Sequence, residues 1–227
     1  MDFVEKRPVA AATVVCAALA GAAWLWRLRR RAKAPRLKSA LRCPCGKIRG
    51  TLETLAEDNV RLRCYCESCT MFAKWAEEQS KAKGIEASGL DESKVCAKIC
   101  MTRKANVTFE SGVENLKLSY RNPKSLTSRV YAACCGAPVF NTGRYLGFIG
   151  VYEVCIENPA AFGEKEVLCF PEEAQTPPTR GPNRSDLSPL DFLLVLLCYA
   201  FDAKSGPPID YDQEPVYFQD QGSKKIQ

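Results

Sequence analysis

A chain of 227 residues is long enough for one folded domain with terminal segments, and its 46% hydrophobic and 26% charged residues are typical of a globular protein. The net charge of +6 is concentrated between Arg27 and Lys38, so the remainder is close to neutral, which excludes a nucleic-acid-binding surface spread over the fold. Thirteen cysteines, an odd number below the ~8–10% of short secreted disulfide scaffolds, argue against a disulfide-stapled protein.

The N-terminal segment predicts a membrane anchor within residues 1–26. Residues 9–26 carry no charge, end in Trp24 and Trp26, and are followed at once by the basic cluster. This length is at the lower end of the ~17–25 residues of a transmembrane helix, and the basic flank places the rest of the chain in the cytosol. A cleaved signal peptide, a mitochondrial presequence and a non-inserting alanine-rich segment are the alternatives. In a reducing cytosol, clustered cysteines are typical of metal binding or catalysis.

Residues 27–38 are predicted to form a basic linker, followed by a mainly β domain over 39–170. Segments 47–52 and 60–64 alternate apolar with polar residues, and segment 66–79 has Met71, Phe72 and Trp75 at helical spacing. Further strands are predicted at 94–101, 106–109, 116–120, 128–133 and within 139–154, separated by glycine, asparagine or proline signals.

The C-terminal segment, residues 171–227, is predicted to combine a proline-rich loop, a helix and a tail. Ser188 can cap the helix over 188–201, and Pro189 suits its first turn. Its apolar run is too short to span a bilayer, so we expect a buried or docking helix. No internal repeat is present.

Three groups of cysteines are candidates for chemistry. They are "CPCG" with Cys43 and Cys45, "CYCESC" with Cys64, Cys66 and Cys69, and "CCG" with Cys134 and Cys135. Short spacings let one turn present several thiolates to a tetrahedral zinc ion. In the first and last groups, called the outer pairs, a glycine follows the second cysteine and permits the tight turn that directs backbone amides at the sulfurs. The outer pairs could form one saturated site, while the trio forms a second site with one position left open.

The other cysteines are predicted to pack as small hydrophobic side chains. Cys16, Cys155, Cys169 and Cys198 lie in apolar runs, and Cys96 and Cys100 lie in a strand-like segment that would place both on one face.

The order and spacing of "CPCGKIRGTLE", "CYCESCTMFAKW" and "CCGAPVFN" resemble the glutathione-dependent formaldehyde-activating enzyme and centromere protein V family over residues 39–170. The resemblance implies a β-tent fold with a few short helices and one or two Zn²⁺ per chain. It implies a structural zinc on Cys43, Cys45 and the later pair, and a catalytic zinc on Cys64, Cys66 and Cys69. The chain departs from the family where Ala132 replaces the first cysteine of C-x-x-C-G, so either Cys134 replaces it or the site has three sulfurs and binds its metal more weakly.

The resemblance implies a carbon–sulfur lyase that acts on thiol adducts such as S-hydroxymethyl glutathione, with glutathione as co-substrate. Arg63 and Arg129 are candidates for meeting the carboxylates of the tripeptide, although arginines near strand ends are usually solvated. A non-catalytic zinc module at a membrane is the main alternative. A dithiol redox protein using Cys66 and Cys69 is weaker, because the βαβ context of thioredoxin-like proteins is missing.

Overall fold

The structure is a computed structural model that describes residues 35–55, 59–178, 180–187 and 209–219. The predicted membrane anchor and the predicted helix over 188–201 lie outside these ranges. Within the ranges, no helix has the length and apolar character needed to cross a bilayer.

The described part of the chain is mainly β with one α-helix, which confirms the predicted class. The helix, α1, spans Glu67–Ala82, and the other helical segments are short 3-10 turns. The strands are β1 Arg36–Arg42, β2 Arg49–Leu55, β3 Val60–Cys64, β4 Ala97–Arg103, β5 Val107–Ser111, β6 Leu116–Tyr120, β7 Ser128–Ala132, β8 Pro138–Thr142, β9 Phe148–Tyr152, β10 Glu166–Cys169, β11 Arg184–Asp186 and β12 Val216–Tyr217.

The strands form two sheets. The smaller has the order β1-β2-β5, and the larger has the order β11-β10-β3-β4-β9-β8-β7-β6-β12. The centre of the larger sheet, from β3 to β6, is antiparallel, whereas β10 joins β3, and β12 joins β6, in parallel. The pairing of β10 with β3 places a segment from late in the chain along one edge of the cysteine-bearing strand β3.

Strand β1 begins at Arg36, inside the segment predicted as a basic linker. Its side chains alternate, with Ser39 and Leu41 buried and the basic residues outside. The alternation is that of a half-buried strand, and the density of positive charge concealed it in the sequence.

Helix α1 forms because residues 66–82 combine helical apolar spacing with terminal charges that suit the helix dipole. Cys66 occupies the N-cap, Glu67 lies in the first turn and Lys81 in the last. Its buried face includes Cys69, Phe72, Ala73 and Ala76, and it packs against β4 and β8. The helix is therefore fixed on the sheet with its first turn beside the end of β3.

Glu77 ties α1 to the loop that precedes β4. Its carboxylate accepts hydrogen bonds from Ser88 at 2.7 Å and Lys94 at 2.9 Å, and pairs with Lys81 at 2.9 Å. Desolvation alone would raise the pKa of Glu77, but these partners outweigh it and lower the pKa to about 2. The carboxylate thus stays ionised over the pH range in which the protein would be handled.

Candidate metal centres

The first centre is the four-cysteine group, made of Cys43, Cys45, Cys134 and Cys135. The first two lie in the loop between β1 and β2, and the other two in the turn between β7 and β8. The sulfur of Cys43 lies 3.4 Å from that of Cys45 and 3.8 Å from that of Cys134, and Cys45 lies 3.4 Å from Cys134. All four sulfurs are within 4.8 Å of one another, and all four cysteines are free thiols.

The turn that carries Cys43 and Cys45 directs backbone amides at sulfur. The Cys43 amide donates to the Ile48 carbonyl at 3.1 Å, and the Ile48 amide donates back to the Cys43 sulfur at 3.3 Å. Gly46 closes the turn at φ +75°, a conformation that glycine adopts without the cost of a Cβ. Amide donors favour the ionised form of sulfur, as a metal ligand requires.

The turn between β7 and β8 carries the adjacent pair Cys134 and Cys135. Ala132 is the fully buried last residue of β7, and its carbonyl accepts hydrogen bonds from the amides of Cys135 and Gly136. Cys134 lies at the tip of this turn, where its sulfur reaches Cys43 and Cys45. The adjacent pair 134 and 135 therefore supplies two sulfurs from one turn.

Burial and the neighbouring sulfurs shift the pKa values of three thiols in the four-cysteine group. Burial raises the pKa of Cys135 to about 11, and burial and its neighbours raise the pKa of Cys134 still further. Partial burial also raises that of Cys45, but the Lys47 amide and the neighbouring thiols lower it by more. Several thiolates can lie this close together only when a cation offsets their charge, so the group could hold a metal ion.

The second centre is the three-cysteine group, made of Cys64, Cys66 and Cys69. Cys64 ends β3, Cys66 is the N-cap of α1, and Cys69 lies in its first turn. The Cys64 and Cys66 sulfurs are 3.4 Å apart, and all three lie within 4.8 Å of one another. A strand that runs straight into a helix thus gathers three sulfurs within six residues, and this group could also hold a metal ion.

Access to the three-cysteine group is limited. Cys64 and Cys69 are 4% and 6% exposed, whereas Cys66 is only partly buried. Hydrogen bonding to Cys64, together with burial, raises the pKa of Cys69 to about 12. Without a cation, these thiols stay protonated at neutral pH.

Arg129, on β7, supplies a positive charge to this group. Its guanidinium is 4% exposed and donates to the Ser68 hydroxyl at 2.9 Å and the Cys69 sulfur at 3.5 Å. Desolvation lowers the pKa of Arg129, but Coulombic interaction with the ionised form of Cys69, and with Tyr152 and the other two thiols of the group, raises it by more. Its Nε, like the hydroxyl of fully buried Tyr152, has no hydrogen-bond partner among the described residues. A buried cation thus faces the sulfurs directly.

The two arginines that the sequence singled out have different roles. Arg63 forms an ion pair with Glu166 on β10, within a network that also includes Arg61 and Arg184. It therefore ties β10 to β3, whereas Arg129 contacts the cysteines.

The cysteines predicted to pack are buried where the structure describes them. Cys155 donates to the Pro138 carbonyl at 3.3 Å, and Cys100 donates to Asn59 at 2.6 Å. Cys96 directly precedes β4 and packs with Tyr65 and Leu168, in a different cluster from Cys100, so both are buried but in separate parts of the core. Cys169 is 3% exposed and lies beside Cys64. Cys16 and Cys198 lie outside the described residues.

Comparison with known families matches residues 37–180, more than half of the chain, to a family of unknown function, DUF6151. The chain belongs to the DUF6151 family. The matched region contains both cysteine groups, Arg129 and Cys169.

Among solved structures, this DUF6151 chain is similar to a Rhodobacter sphaeroides protein determined as a structural genomics target. The two are 22% identical, the match covers 57% of this chain and 97% of that one, and the TM-score is 0.36. The comparison with curated proteins gives no significant match.

Proposed function

We propose that this DUF6151 protein is a zinc-binding enzyme of the carbon–sulfur lyase type that acts on glutathione adducts such as S-hydroxymethyl glutathione. The four-cysteine group would hold a structural zinc, and the three-cysteine group a catalytic one. The three cysteine motifs resemble those of the glutathione-dependent formaldehyde-activating family, whose fold is a β-tent. This resemblance supports the proposal. The uncharged segment 9–26 supports a membrane anchor with the domain in the cytosol.

The donor sets fit zinc. A tetrahedral ion with Zn–S distances near 2.3 Å separates its sulfurs by about 3.8 Å. The four closest sulfur–sulfur separations are 3.4–3.8 Å, near this value, and the other sulfurs in each group lie within 4.8 Å of one another. Four sulfurs complete the coordination of a zinc ion, which suits a structural role for the four-cysteine group. Three sulfurs leave one coordination position, which a substrate sulfur could occupy.

The observation that carries the proposal is the buried guanidinium of Arg129 against Cys69. A buried cation is costly unless negative charge offsets it, and no carboxylate pairs with Arg129 in the described part of the chain. Three thiolates around a divalent ion carry one net negative charge and four carry two, so the guanidinium offsets negative charge in either case. The pairing thus supports a metal centre of three thiolates with a fixed positive neighbour.

The proposed reaction breaks the bond between sulfur and the hydroxymethyl carbon. The bonding electrons stay on sulfur, the carbon–oxygen bond becomes the double bond of formaldehyde, and the hydroxyl proton ends on the released thiol. Zinc supplies Lewis acidity that stabilises negative charge on sulfur. Arg129 adds positive charge next to Cys69 in a poorly hydrated site, where such charge acts strongly. Partly exposed Cys66 marks the side from which a thiol adduct enters.

The test is the rate at which full-length, zinc-loaded protein converts S-hydroxymethyl glutathione to formaldehyde and glutathione. We expect turnover above the uncatalysed rate, and a loss of at least about 100-fold in Cys66→Ser, because removing a ligand should exceed the 10–100-fold effect of an outer partner. Cys100→Ala, a buried cysteine outside both groups, is the matched control and should keep the rate. Zinc-loaded wild-type protein without turnover would overturn the proposal.

A second candidate, a non-catalytic zinc module, is favoured by one observation: two of the three cysteines of the smaller group are nearly inaccessible. Such a module would keep both metals and bind no external thiol. Equilibrium binding of glutathione to the zinc-loaded protein separates the two, since only the enzyme binds it at the three-cysteine group.

A further inference from the structure

The strand register places a fourth cysteine beside the three-cysteine group. Strand β10 pairs with β3 in parallel, and Cys169 is the residue opposite Cys64. The Tyr65 amide donates to the Cys169 carbonyl at 3.0 Å, so the pairing continues to the ends of both strands. Residues opposite each other on neighbouring strands direct their side chains to the same face of a sheet.

The register is held by charge as well as by backbone hydrogen bonds. Glu166, at the start of β10, pairs with Arg63 on β3 and lies 3.1 Å from Arg184 on β11. The Arg63 and Glu166 side chains are 12% and 10% exposed, so water screens the pair weakly. A shift of one residue would break this pair and turn the Cys169 side chain to the other face.

Cys169 and the three-cysteine group belong to one buried cluster. Cys169 is 3% exposed, and it packs with Cys64, Cys69 and Phe72. The Cys169 and Cys64 side chains are also hydrogen-bonded to each other. The Cys169 sulfur is not within 4.8 Å of all three others, but a change of χ1 rotamer moves a cysteine sulfur by about 3 Å.

A metal ion at the three-cysteine group needs a fourth ligand. The group is mostly buried, which limits the supply of water, and Arg129 carries only donors. Thiolate is the ligand type already present, and a tetrahedral zinc ion accepts four. Packing alone would explain one buried cysteine, but not its placement opposite a cysteine of the group.

We propose that Cys169 is the resident fourth ligand of the metal ion in the three-cysteine group, and that an incoming thiol takes its place. The inference rests on the metal-binding part of the proposed function but not on turnover. Cys169 closes the site when no thiol is bound. Displacement needs only rotation of one side chain, because β10 stays in register.

The experiment measures zinc affinity by competition with a chromophoric chelator, using the full-length protein loaded with zinc. In Cys169→Ser, which keeps the size of the side chain, one zinc should bind at least about tenfold more weakly, because loss of an outer partner already costs about 10–100-fold and Cys169 is a direct ligand. Added 2-mercaptoethanol should restore that affinity, since the small thiol fills the vacant position. Cys100→Ser, the matched control, should bind both ions as the wild type does.

Unchanged affinity in folded Cys169→Ser protein would overturn the inference, and so would a loss that 2-mercaptoethanol does not reverse. A second variant, Cys169→Ala, guards against an effect of the new hydroxyl and should give the same loss and the same rescue. Failure of the proposed lyase activity would show as absent turnover with these affinity changes intact. Failure of the inference would show as turnover with none of them.

Discussion

Replacing Gly136 with alanine is expected to lower the free energy of unfolding by about 2–5 kcal/mol, of which about 1–2 comes from the left-handed backbone and about 1–3 from overpacking. Gly136 has φ +78°, and an added Cβ would lie 2.4 Å from the backbone of Gln79 and Ser80 in α1. Backbone atoms of a packed helix cannot move aside as a flexible side chain can. Denaturant unfolding of the zinc-loaded protein measures the change.

Gly84→Ala is the matched control for this prediction. Gly84 has a similar φ of +69°, but an added Cβ would meet no atom within 4 Å. Its substitution should lower the free energy of unfolding only by the cost of the left-handed backbone, about 1–2 kcal/mol. Equal losses in the two variants would contradict the close approach of the cysteine-bearing turn to α1.

Arg129→Met is expected to weaken zinc binding at the three-cysteine group by about 10–100-fold, as loss of an outer-shell partner does. The methionine fills similar space and removes the positive charge next to Cys69, so ionisation of that thiol becomes more costly. Affinity at the four-cysteine group should not change. Chelator competition resolves the two ions, because only one becomes easier to remove.

Arg129→Lys retains the charge without the second arm of the guanidinium, so its affinity should lie between those of wild type and Arg129→Met. Arg144→Met, which removes an arginine paired with Asp212 on the surface, should leave both ions in place. Wild-type affinity in Arg129→Met would mean that the guanidinium does not offset thiolate charge.

Much of the architecture follows from local sequence patterns. Alternating side chains predicted most strands, and the apolar spacing after Cys66 predicted α1. The three-cysteine group could be predicted from the sequence for the same reason, since its members lie within six residues. Its sulfurs converge because a strand end and a helix start are each determined locally.

Contacts between distant segments could not be derived in this way. The four-cysteine group joins segments 91 residues apart in sequence, and the sequence offered their pairing only as one possibility, which the likeness to a known motif order then favoured. Cys169 lies in a short apolar segment, which predicts burial but not the neighbour across a parallel strand pair. Arg129 was expected near solvent, because a strand pattern does not show that helix α1 covers it.

The central claim is that each cysteine group binds one metal ion. Elemental analysis of full-length protein purified without chelators tests it most directly. We expect two zinc ions per chain in the wild type and one in each of Cys43→Ser and Cys66→Ser. Folded wild-type protein that contains no metal and takes up none from added zinc would contradict the account.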